Sequence, residues 1–446
     1  MRQALTYGVP GARLPQWAGP ALVLMTVMLF GVSHLMLAEA GLHYETPGGS
    51  IIEKVHPASW MAFALLGVAV LAAGHPLAWL NHVFARHKGL IVFFLGWLVL
   101  LWHLVMNQHL PFTQLIDTFA LPMALVLLLE AASGGQLRML ARAIHGLMAL
   151  NALLGLYEAA SGWHLTPLII GDLVQTDDWR ATALMGHPLN NAAITAQYVI
   201  ALALGGGRDV PGPLRIALFA LNLAALNAFG GRVAFVLALA ILAIIGLWRA
   251  YGILAGRRFS ARSAMFVSIA MPVAIAALAV LYDAGAFDQF LARFVSDKGS
   301  AEARMIMLEL FRAIPERDII FGPQAQQVAA LMRTEGLVGL ESFWVAFILS
   351  YGLAVSVIFF AGLFAFLWDL VRSSSPAAIW TVIFFVLEGS TSVSISAKTT
   401  TFAMVVMIAM VLLRRRERGR AAVPDGADSS SACVSSRQHA NAYDWL

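Results

Sequence analysis

Charge is what this sequence has least of. Only 12% of its 446 residues are Asp, Glu, Lys or Arg, while 60% are hydrophobic. A soluble domain carries about 25% charged and about 45–50% apolar residues. So few charges cannot cover the surface of a soluble chain of this length, and lipid must be the solvent for much of it. Cysteine is almost absent: Cys433 stands alone. That excludes a disulfide within the chain and any thiolate-based metal site. The formal net charge of +4 is no argument for nucleic acid, and no nucleic-acid partner is expected.

What the sequence has in abundance is long apolar runs. Runs of about 17–25 residues match a bilayer. They predict spans over 18–38, 58–75, 89–106, 113–131, 138–158, 189–205, 213–229, 232–248, 263–282, 342–367, 377–390 and 399–413. The expected fold is all-α: a polytopic membrane bundle of about twelve transmembrane helices, one domain over 1–420. The first run exceeds the apolar core of a signal peptide, about 7–15 residues, and reads as a retained span. Gly230 and Gly231 alone separate two runs and predict a tight helical hairpin. The tail 421–446 is rich in Ser, Ala and Asp, lacks periodicity and is expected to be disordered. The arginine cluster before it, Arg414 to Arg420, suits anionic lipid headgroups.

Basic residues set the orientation. With the N-terminus inside, the inside segments hold Arg2, Arg13, Arg86, Lys88, Arg138, Arg142, Arg208, Arg215, Arg249, Arg257, Arg258, Arg262, Arg372 and the late cluster. The short outside segments hold Lys54, Arg180, Arg232 and Lys398. Both termini are therefore expected in the cytoplasm. Three outside segments are long enough to hold structure: 39–57, 159–188 and 283–341. In the last, Met305, Leu308 and Phe311 have helical spacing over 300–314, and Pro315 ends the pattern. That amphipathic helix is expected on the membrane surface or across the mouth of a cavity.

The outside charges are the candidate site. Arg180 precedes a span and reads either as a snorkelling interfacial side chain or as an anion ligand. His187, Asn190 and Asn191 follow at the mouth of the next helix, where either Asn could also be an N-cap. Arg232 lies beside Gly230 and Gly231, where open backbone and a planar guanidinium suit phosphate. Its alternative is a pair with a buried carboxylate. Arg304 and Arg312 are eight residues apart and share a helix face. For Arg312 and Arg317 a solvated face with local ion pairs is the plainer reading. Glu341, where the long loop re-enters the membrane, reads as a proton acceptor or as an ordinary interfacial carboxylate. Lys398 with Glu388 reads as a structural pair. No His cluster has ligand spacing, and Asp177-Asp178, the nearest thing to a metal pair, reads as a turn or acidic surface. No essential metal and no cofactor are expected.

Taken in order, RATALMGHPLNNA, GGRVAF and EARMIMLELFRAIPERDIIFGP resemble the O-antigen ligase and Wzy-type polysaccharide polymerase superfamily over roughly residues 150–370. The resemblance implies a fold similar to C-type glycosyltransferases at the outer face of the bacterial inner membrane. It implies transfer of a glycan from undecaprenyl diphosphate to a second lipid-linked repeat unit, or, in a ligase, to another acceptor. It implies that Arg180, Arg232 and Arg304 hold the diphosphate, and partners among membrane lipids, a flippase and chain-length or export proteins. Many members carry a His before the span after the long loop; this sequence has Glu341-Ser342 there. Glu341 is then the expected catalytic base, with Arg232 beside the leaving group. A multi-span transporter of polysaccharide or lipid-linked precursor is the alternative. It would show related halves and mid-membrane polar sites, and the sequence has no internal repeat.

Overall fold

The computed structural model describes residues 13–46, 48–107, 112–170, 173–175, 178–256, 283, 285, 288, 300–337 and 339–415. The expected span 263–282 and the tail 421–446 lie outside them. The chain is a helical bundle. Its β structure among the described residues is a short antiparallel pair, β1 (Ile169–Ile170) with β2 (Leu173–Val174).

The helices follow from local signals. α1 is Ala18–Gly31 and α2 is His34–Glu39, begun by Ser33, whose side chain accepts from Met36 N–H. α3 (Pro57–Ala72) starts with proline in its first turn, where a missing N–H costs nothing. α4 (Pro76–Arg86) and α5 (Lys88–Asn107) follow. α6 (Thr113–Ala131) contains a π-helical turn over Ile116–Ala120. α7 (Gly134–Ser161) opens with a reciprocal capping box between Ser133 and Gln136 and closes on the left-handed Gly162. α8 (Pro188–Ala203), α9 (Gly212–Phe229) and α10 (Arg232–Leu254) come next. Gly230, at φ +64°, ends α9 and makes the two-residue turn into α10. The long loop holds α11 (Ser300–Ala313), α12 (Glu316–Phe321) and α13 (Ala325–Thr334). α14 (Phe343–Tyr351), α15 (Leu353–Ser373), α16 (Pro376–Gly389) and α17 (Thr401–Leu412) complete the order.

Six of these helices, α5, α6, α7, α9, α10 and α15, are long and apolar enough to cross a bilayer. A seventh span results if α3 and α4 count as one, although they are bent by 115°. α1, α16 and α17 are apolar but shorter. Exposed Trp17, Trp248, Tyr251 and Trp368 lie toward one end of the bundle. Exposed Trp60, Trp102, Tyr157 and Trp163 lie toward the other.

Contacts sort the connections between two ends. At the first, Arg86 and His87 pair with Glu130, Arg414 with Asp209, and Ser375 N–H with the Leu413 carbonyl. Arg138, Arg142, Arg215 and Arg372 also belong to this basic end. At the second, the segments around residues 32–56, 113–118, 158–191, 228–232 and 390–400 bond to one another. α8 and α17 are buried all round and form the axis of the bundle. Both begin at this second end.

Four elements differ from the expectations, the first being the run 18–38, which is split into α1 and α2 around Ser33. The run 342–367 is broken at Gly352, φ +79°, because Phe321 and Gly322 press against it; a Cβ there would lie 2.6 Å from the Phe321 carbonyl carbon. The expected inside loop around Arg86 is the helix α4, which buries Trp79 and Val83. On α11, the residues that pack inward are Met307 and Leu310, joined by Ile314 just past its end, against Val328, Val345 and Leu349. Met305 and Leu308, which set the spacing in the sequence, are exposed. The helix has two apolar stripes, and spacing alone could not say which one meets protein.

Candidate functional site

The ends of α8 and α17 lie beneath a cavity of about 270 Å³. Leu189, Asn190 and Ala193 of α8 and Thr399, Thr400, Thr401 and Met404 at the start of α17 line it. Ser33 and His34 of the α1–α2 junction, Tyr44 and His56 of the following segment, and Glu388 of α16 add to the wall with His187 and Lys398. Two helix N-termini, each carrying about half a positive charge, therefore open into one cavity with a largely apolar lining that includes Leu29, Phe30 and Met185.

One wall is a loop folded inward. Glu158, fully buried at the end of α7, accepts from the N–H groups of Leu165, Thr182 and Ala183 at 2.9, 2.8 and 2.9 Å. Asn151 accepts from Leu184 N–H at 3.1 Å. Asn191 donates to the Thr182 and His187 carbonyls. So Asn191 is a buried loop anchor, and the helix cap is His187, whose Nδ1 accepts from Leu189 N–H at 3.2 Å. Ala183 is held at φ +38° between these bonds. Gly186 passes so near α2 that a Cβ would sit 2.6 Å from Ser33 Oγ.

The loop delivers Arg180 to the α9–α10 hairpin. Ala181 N–H donates to the Ala228 carbonyl at 3.1 Å, and the Arg180 stem covers Gly230, where a Cβ would lie 2.8 Å from Arg180 Cγ. Gly231 meets Ala192 of α8 just as closely. Arg180, the glycine turn, Arg232 and the start of α8 thus form one junction. Arg180 is buried, not snorkelling, and its Nε donates to both Asp178 oxygens at 2.9 Å. Arg232 is half-buried as the first residue of α10. Burial and then the Arg180 guanidinium push His187 down to about 4, so it is neutral at pH 7. With Nδ1 taken by the backbone, Nε2 carries the proton and His187 is a hydrogen-bond donor.

The opposite elements are fastened through Asp117, on the π-helical turn of α6. This fully buried carboxylate accepts from Tyr44 Oη at 2.8 Å, Ser59 Oγ at 2.6 Å and His56 N–H at 3.1 Å. Lys398 donates to the carbonyls of Tyr44 and Lys54 at 2.6 and 2.7 Å and lies 3.4 Å over the Tyr44 ring. Burial pushes its pKa down to about 8. The expected pair of Lys398 with Glu388 does not form; the ammonium is taken by main-chain carbonyls instead.

Of the sequence candidates, His187 and Asn190 line the cavity; Arg180 packs on Gly230 close to His187, and Arg232 follows that glycine turn as the first residue of α10, neither of them in the cavity wall. Glu341 is half-buried before α14 and is not in the cavity wall. Arg304 is on α11, with its side chain outside the described residues. Arg312 is exposed, 3.9 Å from Glu309, as a solvated helix face would have it. His34, His56, Lys398 and Glu388 are the site residues that sequence reasoning missed or assigned elsewhere. Only their shared expected side could have signalled them. Among the described residues no group of three or more His, Cys, Asp or Glu side chains is arranged to hold a metal. Asp178 serves Arg180, and Asp177 is outside the described residues. No protein-family model matches the chain, and no curated protein matches it.

Proposed function

We propose that the chain is a membrane glycosyltransferase of the polysaccharide-polymerase kind. It takes a glycan from undecaprenyl diphosphate and passes it to a second lipid-linked repeat unit at the periplasmic face of the bacterial inner membrane. The observation that carries this reading is the convergence of the N-termini of α8 and α17 on one cavity, with Arg180 close to its wall residue His187 and Arg232 at the glycine turn that Arg180 covers. Helix N-termini and guanidinium groups both favour phosphate oxygens. The leaving diphosphate needs cations placed where its charge develops, and His187 adds a neutral donor beside them. The segregation of basic residues supports the orientation: the basic end faces the cytoplasm, and the cavity opens on the far side.

The test is replacement of Arg180 or Arg232 by Ala in a polymer-producing host. Polymer should fall by at least about tenfold if one phosphate contact of roughly 1.5–3 kcal/mol is lost. Unchanged polymer at normal protein levels would sink the reading. A deletion strain separates the two acceptors: single lipid-linked repeats accumulate for a polymerase, long lipid-linked chains for a ligase.

A further inference from the structure

The transfer reaction needs a proton acceptor, and the cavity wall can be searched for one by asking what each titratable group already does. Tyr44 Oη donates its hydrogen bond to Asp117. His56 uses both ring nitrogens: Nδ1 accepts from Ala58 N–H at 3.2 Å, and Nε2 donates to the Val32 carbonyl at 3.1 Å. His187 spends its only basic nitrogen on Leu189 N–H. Lys398 is a donor to two carbonyls. Glu45 is exposed at the rim. His34 lies close enough to His187 and His56 to lower the pKa values of both.

Glu388 is faced by a hydroxyl, that of Ser392, and by no cation among the described residues. It is the penultimate residue of α16, in the cavity wall. It has no ion pair within 4.0 Å among the described residues. Its main chain is rigidly placed. The Glu388 carbonyl accepts from Thr391 Oγ1 at 2.9 Å and Thr391 N–H at 3.0 Å. Next to it, Gly389 packs so tightly on α14 that a Cβ would sit 2.7 Å from the Phe343 ring. A carboxylate on a fixed helix end, facing a cavity and unclaimed by a cation, has the form of a general base.

Resting on the transferase reading, we propose that Glu388, and not Glu341, is the catalytic base for the acceptor hydroxyl. The hydroxyl oxygen attacks the anomeric carbon of the donor sugar. The bond from that carbon to the diphosphate oxygen breaks, and its electron pair leaves on the lipid diphosphate. The hydroxyl proton passes to the Glu388 carboxylate.

The experiment uses the full chain in lipid nanodiscs, supplied with the lipid-linked glycan that accumulates in a deletion strain of the native host. Glu388→Gln should lower kcat by about 100-fold or more, with KM for the glycan and the unfolding midpoint unchanged. Glu388→Asp, which keeps the carboxylate, should retain part of the rate. A wild-type kcat in Glu388→Gln overturns the inference. So does a loss that appears only in KM, or an Asp variant as inactive as Gln at normal stability. A lost rate in Glu341→Gln or His34→Gln beside an active Glu388→Gln assigns the base to that residue instead. If the wild-type protein itself forms no product from this glycan, the transferase reading falls, and that outcome is distinct from every one above.

Discussion

Asp117 and Glu158 show how a buried carboxylate can be structural in a chain so poor in charge. Each is fully buried and accepts several bonds that tie separate segments together. Asp117→Ala leaves Tyr44, Ser59 and His56 without their acceptor, whereas Tyr44→Phe removes one donor at about 1.5–3 kcal/mol. Thermal unfolding in detergent should therefore show a much larger drop for Asp117→Ala than for Tyr44→Phe. Equal drops would mean that the carboxylate is not the hub. His187 gives a pH prediction. Its pKa in the folded protein is about 4, below the ordinary value of about 6.5. Between those values the unfolded chain binds the proton and the folded one does not. Stability attributable to His187 is thus whole above about pH 6.5 and is lost as the pH falls toward 4. His187→Asn keeps a capping side chain and should flatten the midpoint-against-pH curve in that window. A curve parallel to wild type would refute the burial of the neutral ring.

At the scale of elements, α5 and α15 pack antiparallel along a glycine seam. A Cβ on Gly362 would lie 2.9 Å from Phe93 Cα, and one on Gly96 would lie 3.4 Å from Phe359 Cα. Small residues let helices approach in lipid, where packing replaces the hydrophobic drive between them. Gly362→Val should lower the unfolding midpoint by several degrees, while Gly246→Val, with nothing within 4 Å of its Cβ, should leave it near wild type. Similar midpoints for the two would mean that the seam is not close-packed. The apolar runs were legible as helices because every unpaired amide in lipid costs several kcal/mol, which forces a helix wherever the run is long enough. The break at Gly352 was not legible. A glycine inside an apolar run looks the same in sequence whether or not a distant segment, here Phe321–Gly322, presses on it.

For the whole molecule, the two ends are the testable claim. Replacing Cys433 with Ser and adding single cysteines gives a direct topology map. A membrane-impermeant maleimide should label Glu45→Cys and Glu335→Cys in intact spheroplasts. It should label Arg138→Cys and Arg372→Cys only after permeabilisation. Labelling of both groups from one side would overturn the two-ended arrangement. The charge distribution made that arrangement visible beforehand, because lysine and arginine bias acts on the sequence of loops and needs no knowledge of packing.

The sequence by itself determined that the chain is an apolar helical bundle and, in outline, where most of its long helices lie. Each of these depends on local composition. The tertiary structure alone decided which charges meet. It buried Arg180 on Gly230, took Lys398 away from Glu388, left Glu341 out of the cavity wall, and brought two axial helix N-termini to one cavity. Those pairings join residues as far apart as Tyr44 and Lys398, and the period of a helix carries no information about which helices become neighbours.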